Sequence, residues 1–145
     1  MHYLHASLTE SMRLYPPVPH EFKTAAADVL PDGTPIAKGA VLLLQIYAMG
    51  RSENIWGSDC LAFRLERFLQ DGSFVPPSPF AYPVFLALLR MCLVMDMAMM
   101  QMKLVAATLL RRYRFVVRDG HRVNTVYSLA MRIKEGLPVY VRRGV

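Results

Sequence analysis

The chain has 145 residues, is 54% hydrophobic and 19% charged, and has a mean hydropathy of +0.25. That balance is too apolar and too lightly charged for a disordered chain, and the length suits one domain burying about 70% of its unfolded surface. The net charge of +6 is uneven, with nine Lys/Arg against two Asp/Glu in residues 111–145 and eight against nine in residues 1–110. The basic segment alternates its arginines with Val, Tyr, Leu and Met, as on the solvent side of strands. No nucleic-acid motif accompanies it, so nucleic acid is not expected as a partner.

Tyr3 to Leu14 reads as a helix, with Leu4, Leu8, Met12 and Tyr15 at four-residue spacing. Pro16-Pro17-Val18-Pro19 ends it, because proline lacks an amide donor and restricts the residue before it. Nothing ahead of this helix caps it, and Met1 to His5 has neither the basic start nor the apolar core of a signal peptide. From Lys23 to Met49 the signals are β-type: a turn at Pro31-Asp32-Gly33-Thr34, another at Lys38-Gly39, and an apolar run of strand length from Ala40 to Tyr47. Arg51 to Gln70 mixes short helical pieces with polar residues around Trp56, and Asp71 to Pro83 reads as loop.

Asp96 to Arg112 is predicted as a helix that is apolar nearly all round, interrupted by a stripe of Asp96, Lys103 and Arg111. Such a helix belongs in the interior of a protein larger than its own length suggests. Six of the ten methionines fall between Met91 and Met102, which makes this segment soft and polarizable. After it, Tyr113–Val117, Val126–Ile133 and Leu137–Val141 are expected as strands, with Glu135-Gly136 as a tight hairpin turn. The most apolar stretch, 84–110, is broken by Arg90, Asp96 and Lys103, so no transmembrane segment is expected. The fold class expected is α+β, two long helices with small β-hairpins.

Three groups of residues carry possible chemistry. Glu10 and Arg13 stand three apart on the first helix and share a face, a common surface pair when taken alone. In Phe63-Arg64-Leu65-Glu66-Arg67-Phe68, charges lie between aromatics, as in a solvated turn anchored by its rings. The third group is Phe85-Leu86-Ala87-Leu88-Leu89-Arg90-Met91-Cys92-Leu93, which leads straight into the apolar helix. A cysteine just before a helix N-terminus and beside a cation is in surroundings that favour a thiolate. By itself, Cys92 reads first as a buried structural cysteine. Cys60 and Cys92 make no disulfide framework, and the four histidines do not fall at zinc-ligand spacing with them.

The order of these pieces changes the reading. An E-x-x-R helix is followed by R-L-Y-P-P-V-P, then A-M-G-R-x-x-x-I-W-G-x-D, then F-R-x-E-R-F, then F-x-x-x-x-R-x-C-L. From Tyr3 to Arg142 the chain resembles the C-terminal third of a haem-thiolate monooxygenase of the cytochrome P-450 family. It is most similar to the plant fatty-acid ω-hydroxylase clan, through 46–51 (I-Y-A-M-G-R) and through Met97-Ala98, Gln101, Met102 and Lys103.

The resemblance implies residue roles. Glu10, Arg13 and Arg67 match a buried structural triad that locks helix to loop beneath the haem. Cys92 matches the proximal iron ligand, Arg90 the arginine that meets a haem propionate, and Phe85 the aromatic covering the sulfur. Val18, Pro19 and His20, together with Tyr127, Ser128 and Leu129, match substrate-lining segments. The implied cofactor is haem b and the implied electron donor an NADPH-dependent flavoprotein reductase. The implied substrate is an apolar small molecule such as a fatty acid, hydroxylated with dioxygen. The family's setting is the cytosolic face of the endoplasmic reticulum membrane. Residues 1–145 correspond to the K helix through the C-terminal hairpin, so the anchor and the I helix are expected to be absent and the chain to be cytosolic or peripheral.

Departures from the family pattern are Leu88 and Val94 in place of glycine, Leu89 in place of the usual proline, and Leu65 in place of the proline of the P-E-R-F element. They support an alternative expectation, a degenerate non-enzymatic chain whose Cys92 is positioned for iron yet largely unliganded by it.

Overall fold

The computed structural model describes residues 1–144. Its first helix, α1, spans His2–Leu14, and its Met1 N-cap makes no side-chain capping bond. The residues that α1 buries are Ala6, Thr9, Glu10, Met12, Arg13 and Leu14, whereas Tyr15 is exposed. The apolar stripe seen in the sequence is therefore only half of the buried face, and the other half carries two charges. Those charges can be buried because they pair with each other and with backbone carbonyls.

Two strands, β1 (Glu21–Thr24) and β4 (Val41–Leu44), pair antiparallel from Glu21↔Leu44 to Thr24↔Val41. Inside that pair, β2 (Asp28–Val29) and β3 (Pro35–Ile36) close over the Pro31–Thr34 turn. The strand expected over Ala40–Tyr47 stops at Leu44. From Ile46 to Met49 the chain is helix α2 instead, with Ile46 buried and the Tyr47 amide donating to the Pro19 carbonyl at 3.0 Å. Helix α3 (Glu53–Trp56) and a 3₁₀ turn at Leu65–Phe68 supply the short helical pieces. The segment expected as loop holds a small hairpin: β5 (Leu69–Gln70) and β6 (Ser73–Phe74) turn at Asp71-Gly72, where both residues take positive φ.

Helix α4 runs Met95–Leu110. After it, β7 (Tyr113–Val117) pairs antiparallel with β10 (Val139–Arg143), enclosing the shorter pair β8 (Thr125–Val126) and β9 (Arg132–Ile133). Two sequence expectations fail here. Val126–Ile133 is not one strand but the tips of two strands around a loop. Glu135-Gly136 joins no hairpin, because β10 takes the distant β7 as partner rather than β9. Among the described residues there are thus four α-helices, two of them long, and five two-stranded antiparallel pairs. The mixed α+β class holds.

The core is small. Ala6, Met12, Phe68, Tyr82 and Met99 cluster between α1, the 3₁₀ turn and α4, with Trp56, Phe74 and Phe85 packed around them. Of α4 only Met99 is buried, while Met100, Leu104, Val105 and Leu110 lie exposed. The accessible surface is 10735 Å². A compact monomer of this mass would expose roughly 7,500 Å². Among the exposed residues are hydrophobic side chains of α4 and of the strands after it.

Candidate functional site

α1 delivers Glu10 and Arg13 into a fully buried ion pair, Nε to Oε2 at 2.6 Å and Nη2 to Oε1 at 2.8 Å. The Arg13 guanidinium also donates to the carbonyls of Gly50, Cys60 (2.7 Å) and Ala62 (3.1 Å), and sits 5.1 Å from the Trp56 ring centre. Glu10 Oε1 accepts the Arg64 amide at 2.7 Å. One helical turn thereby fixes the irregular stretch from Gly50 to Arg64. A charged pair with its hydrogen-bonding capacity filled is the form in which burial of charge is tolerated.

Arg67 joins this cluster but on different terms. Its Nε lies 3.6 Å from Glu10 Oε1 and makes no hydrogen bond. Its donors go to the Trp56 carbonyl (2.8 Å), the Asp59 carbonyl (2.6 Å) and Asp59 Oδ1 (2.5 Å). Hydrogen bonds from Arg67 and Arg64 hold the Asp59 carboxyl below the usual carboxylate range. Asp59, the last residue of the A-M-G-R-x-x-x-I-W-G-x-D motif, was not expected to pair with Arg67, because its place eight residues earlier gave no periodic signal. Tyr82 closes the cluster by donating to the Thr9 carbonyl at 3.1 Å, and burial raises its phenol well above the ordinary value.

Above α4 the chain makes a tight loop. A 3₁₀ turn at Pro83–Phe85 leads into Leu86, and a second at Leu88–Arg90 leads towards Cys92. The Cys92 amide donates to the Phe85 carbonyl at 2.8 Å, so the loop closes on itself with Phe85 beside the cysteine. Cys92 then stands three residues before α4, its carbonyl accepting the Met95 amide at 3.3 Å. Cys92 is half-buried, and Arg90 is exposed and in no ion pair among the described residues. Around them Leu88, Leu89 and Leu93 are bare, the last two completely.

The remaining site residues fall at the far end of α1. Val18 and His20 are half-buried and Pro19 is buried, while Tyr127, Ser128 and Leu129 are exposed. The two segments adjoin, since the Met131 amide donates to the Pro17 carbonyl at 2.7 Å. The Tyr47 and Tyr127 rings meet edge-on at 5.6 Å. His20 Nδ1 lies 3.2 Å from Gln45 Oε1. Behind the loop, a mostly apolar cavity of about 670 Å³ opens between α1 and α4, lined by Met12, Phe85, Leu86, Met95, Met99 and Lys103 among others.

The family model described as cytochrome P-450 matches residues 1–138. The chain belongs to the cytochrome P-450 family. A cytochrome P-450 of Paris polyphylla is 54% identical over 145 residues, covering 97% of this chain and 29% of its own length. An alkane hydroxylase of Arabidopsis thaliana is 41% identical, covering 99% of this chain and 29% of its own. A cytochrome P-450 of Helianthus annuus is 42% identical over 144 residues, covering 99% of this chain and 93% of its own. The chain thus spans less than a third of the length of most of the curated relatives it matches.

Haem iron is the cofactor of the P-450 family, held there by a cysteine thiolate. The donor chemistry around Cys92 fits such a group. A half-buried sulfur stands on a closed loop, an arginine two residues away has no carboxylate partner among the described residues, and bare leucines flank both. A flat apolar macrocycle carrying two carboxylates matches that set: its faces would cover leucine surface and one carboxylate would meet the free guanidinium. No helix among the described residues is long and apolar enough to cross a membrane.

Proposed function

We propose that this chain carries the proximal, iron-ligating part of a haem-thiolate monooxygenase that hydroxylates an aliphatic chain such as a fatty acid. In this reading Cys92 ligates the iron, Arg90 pairs a propionate and Phe85 shields the sulfur. Glu10, Arg13 and Arg67 form the base on which the loop and its supporting stretch rest. When bound, haem supplies the activation of dioxygen by an electron-rich thiolate-ligated iron. The protein's own part is to orient the sulfur, exclude water from it and fix the carboxylate groups of the cofactor. Val18, Pro19, His20, Tyr127, Ser128 and Leu129 are the segment that faces substrate. Electrons come from an NADPH-dependent flavoprotein reductase at the cytosolic face of the endoplasmic reticulum.

The observation that carries the reading is the closed loop from Phe85 to Cys92 with its exposed Arg90, set directly ahead of a 16-residue helix. The aliphatic class is supported by the relative named as an alkane hydroxylase and by the apolar character of Val18, Pro19 and Leu129. The test is to load the chain with hemin and add either a long-chain fatty acid or an aromatic acid of equal charge. A change in the haem absorption selective for the fatty acid is expected. An equal response to both, or a larger one to the aromatic acid, contradicts the aliphatic assignment.

A further inference from the structure

Six residues, 86–91, must turn the chain back so that the Cys92 amide reaches the Phe85 carbonyl. Two of them do so in backbone conformations that leucine rarely adopts. Leu86 has φ +61° and ψ −167°, a region occupied almost only by glycine. Leu88 has φ +52°, where a side chain's Cβ crowds the following carbonyl oxygen. Between them Ala87, at φ −144° and ψ 162°, is ordinary extended backbone. Neither leucine is repaid by full burial: Leu88 is 75% exposed and Leu86 is half-buried at the edge of the apolar cavity.

We infer that Leu86 and Leu88 are positioning residues for the iron ligand, and that the strain at these two sites sets how tightly the chain takes haem. The inference rests on the haem-thiolate reading above. In the free chain a relaxed loop competes with the turned one, and only the turned loop carries the Cys92 amide to the Phe85 carbonyl. Apparent affinity falls in proportion to the fraction of chains in that loop. Glycine at either position has no Cβ, removes the strain and restores the competent fraction. About a tenfold gain per site is expected, equivalent to ~1.4 kcal/mol.

The experiment is a hemin titration of the full 145-residue chain followed by absorbance. It compares the unmodified chain with Leu86→Gly, Leu88→Gly and the double variant. Leu88→Ala keeps a Cβ at the strained site, and Ala87→Gly adds the same backbone freedom at an unstrained one. Each protein is repeated with Cys92→Ala, and unfolding without haem shows that each is folded. The glycine variants at 86 and 88 are expected to bind about tenfold tighter. Leu88→Ala and Ala87→Gly should gain nothing, and the gains should vanish with Cys92→Ala. A Cys92-dependent spectrum of equal affinity in all variants overturns this inference alone, as does a gain that survives loss of Cys92. If no variant gives a Cys92-dependent spectrum, the haem-thiolate reading falls with it.

Discussion

Arg13 and Gly50 hold one another from both ends: the Arg13 guanidinium donates to the Gly50 carbonyl, and a Cβ on Gly50 would run into the Arg13 carbonyl. Gly50 has φ −63°, so space rather than torsion demands glycine here. In an unconstrained helical position, alanine would be the better residue by about 1 kcal/mol. Here the sign reverses. Gly50→Ala should destabilise by about 1–3 kcal/mol through overpacking of α1 against the start of the 50–64 stretch. Denaturant unfolding reads this directly, and a stabilised variant would refute the contact.

Glu10 and Arg67 should differ in cost. Removing the Glu10 carboxylate leaves a fully buried guanidinium without its counter-charge, worth about 3–5 kcal/mol. Arg67→Ala removes bonds to Asp59 and to a backbone carbonyl at the edge of the cluster, worth about 1–3 kcal/mol. Circular dichroism during urea unfolding should rank Glu10→Ala well below Arg67→Ala in stability. Equal losses would mean that Arg67 bears on Glu10 more than its unbonded Nε suggests.

His5 gives the pH dependence a sign. Burial, then the Lys103 charge, holds its imidazole below the ordinary value. The ring stacks on Phe74 at 3.7 Å and its Nδ1 lies 3.0 Å from Lys103 Nζ. The unfolded chain therefore takes up this proton first, and stability falls as pH drops through ~6.5 towards the lowered folded value. His5→Phe keeps an aromatic ring but cannot titrate, so its unfolding midpoint should fall less than that of the unmodified chain between pH 7 and 5. Identical slopes would remove His5 from the account.

The bare face of α4 should make the chain associate. Met97, Met100, Leu104, Val105 and Leu110 are exposed on a helix that buries only Met99. Contiguous apolar patches beyond a few hundred Å² drive association or dye binding. Concentration-dependent elution in size exclusion and strong fluorescence of a hydrophobic dye are expected. A monomer at all concentrations that leaves the dye dark would contradict the exposure of α4.

Long periodic elements were legible in the sequence, and short or partner-dependent ones were not. α1 begins one residue before the predicted Tyr3, and α4 spans Met95–Leu110 against the predicted Asp96–Arg112. Proline after Tyr15 and a sustained apolar run carry those signals locally. The β10–β7 pairing links residues 22 or more apart, which no local turn encodes, so Glu135-Gly136 misled. The end of β4 at Leu44 was hidden because Ile46 and Tyr47 suit a strand by composition, whereas the Met49 and Gly50 amides donate back to the Gln45 and Ile46 carbonyls and close a helical turn. At the site, the order of the E-x-x-R, F-R-x-E-R-F and cysteine motifs pointed to residues that the fold gathers into a buried cluster and a closed loop. The Asp59–Arg67 pairing and the positive φ of Leu86 stayed hidden because each is defined by geometry, a side chain reaching across a loop and a torsion angle.

The claim that Cys92 is an iron ligand is tested most directly by the absorbance of the hemin-loaded chain, reduced and exposed to carbon monoxide, beside Cys92→Ala. Thiolate ligation of a reduced, carbon monoxide-exposed haem shifts the Soret band to long wavelength, and the account predicts that shift in the unmodified chain and its loss in Cys92→Ala. The same short-wavelength band in both proteins would show that Cys92 does not hold the iron.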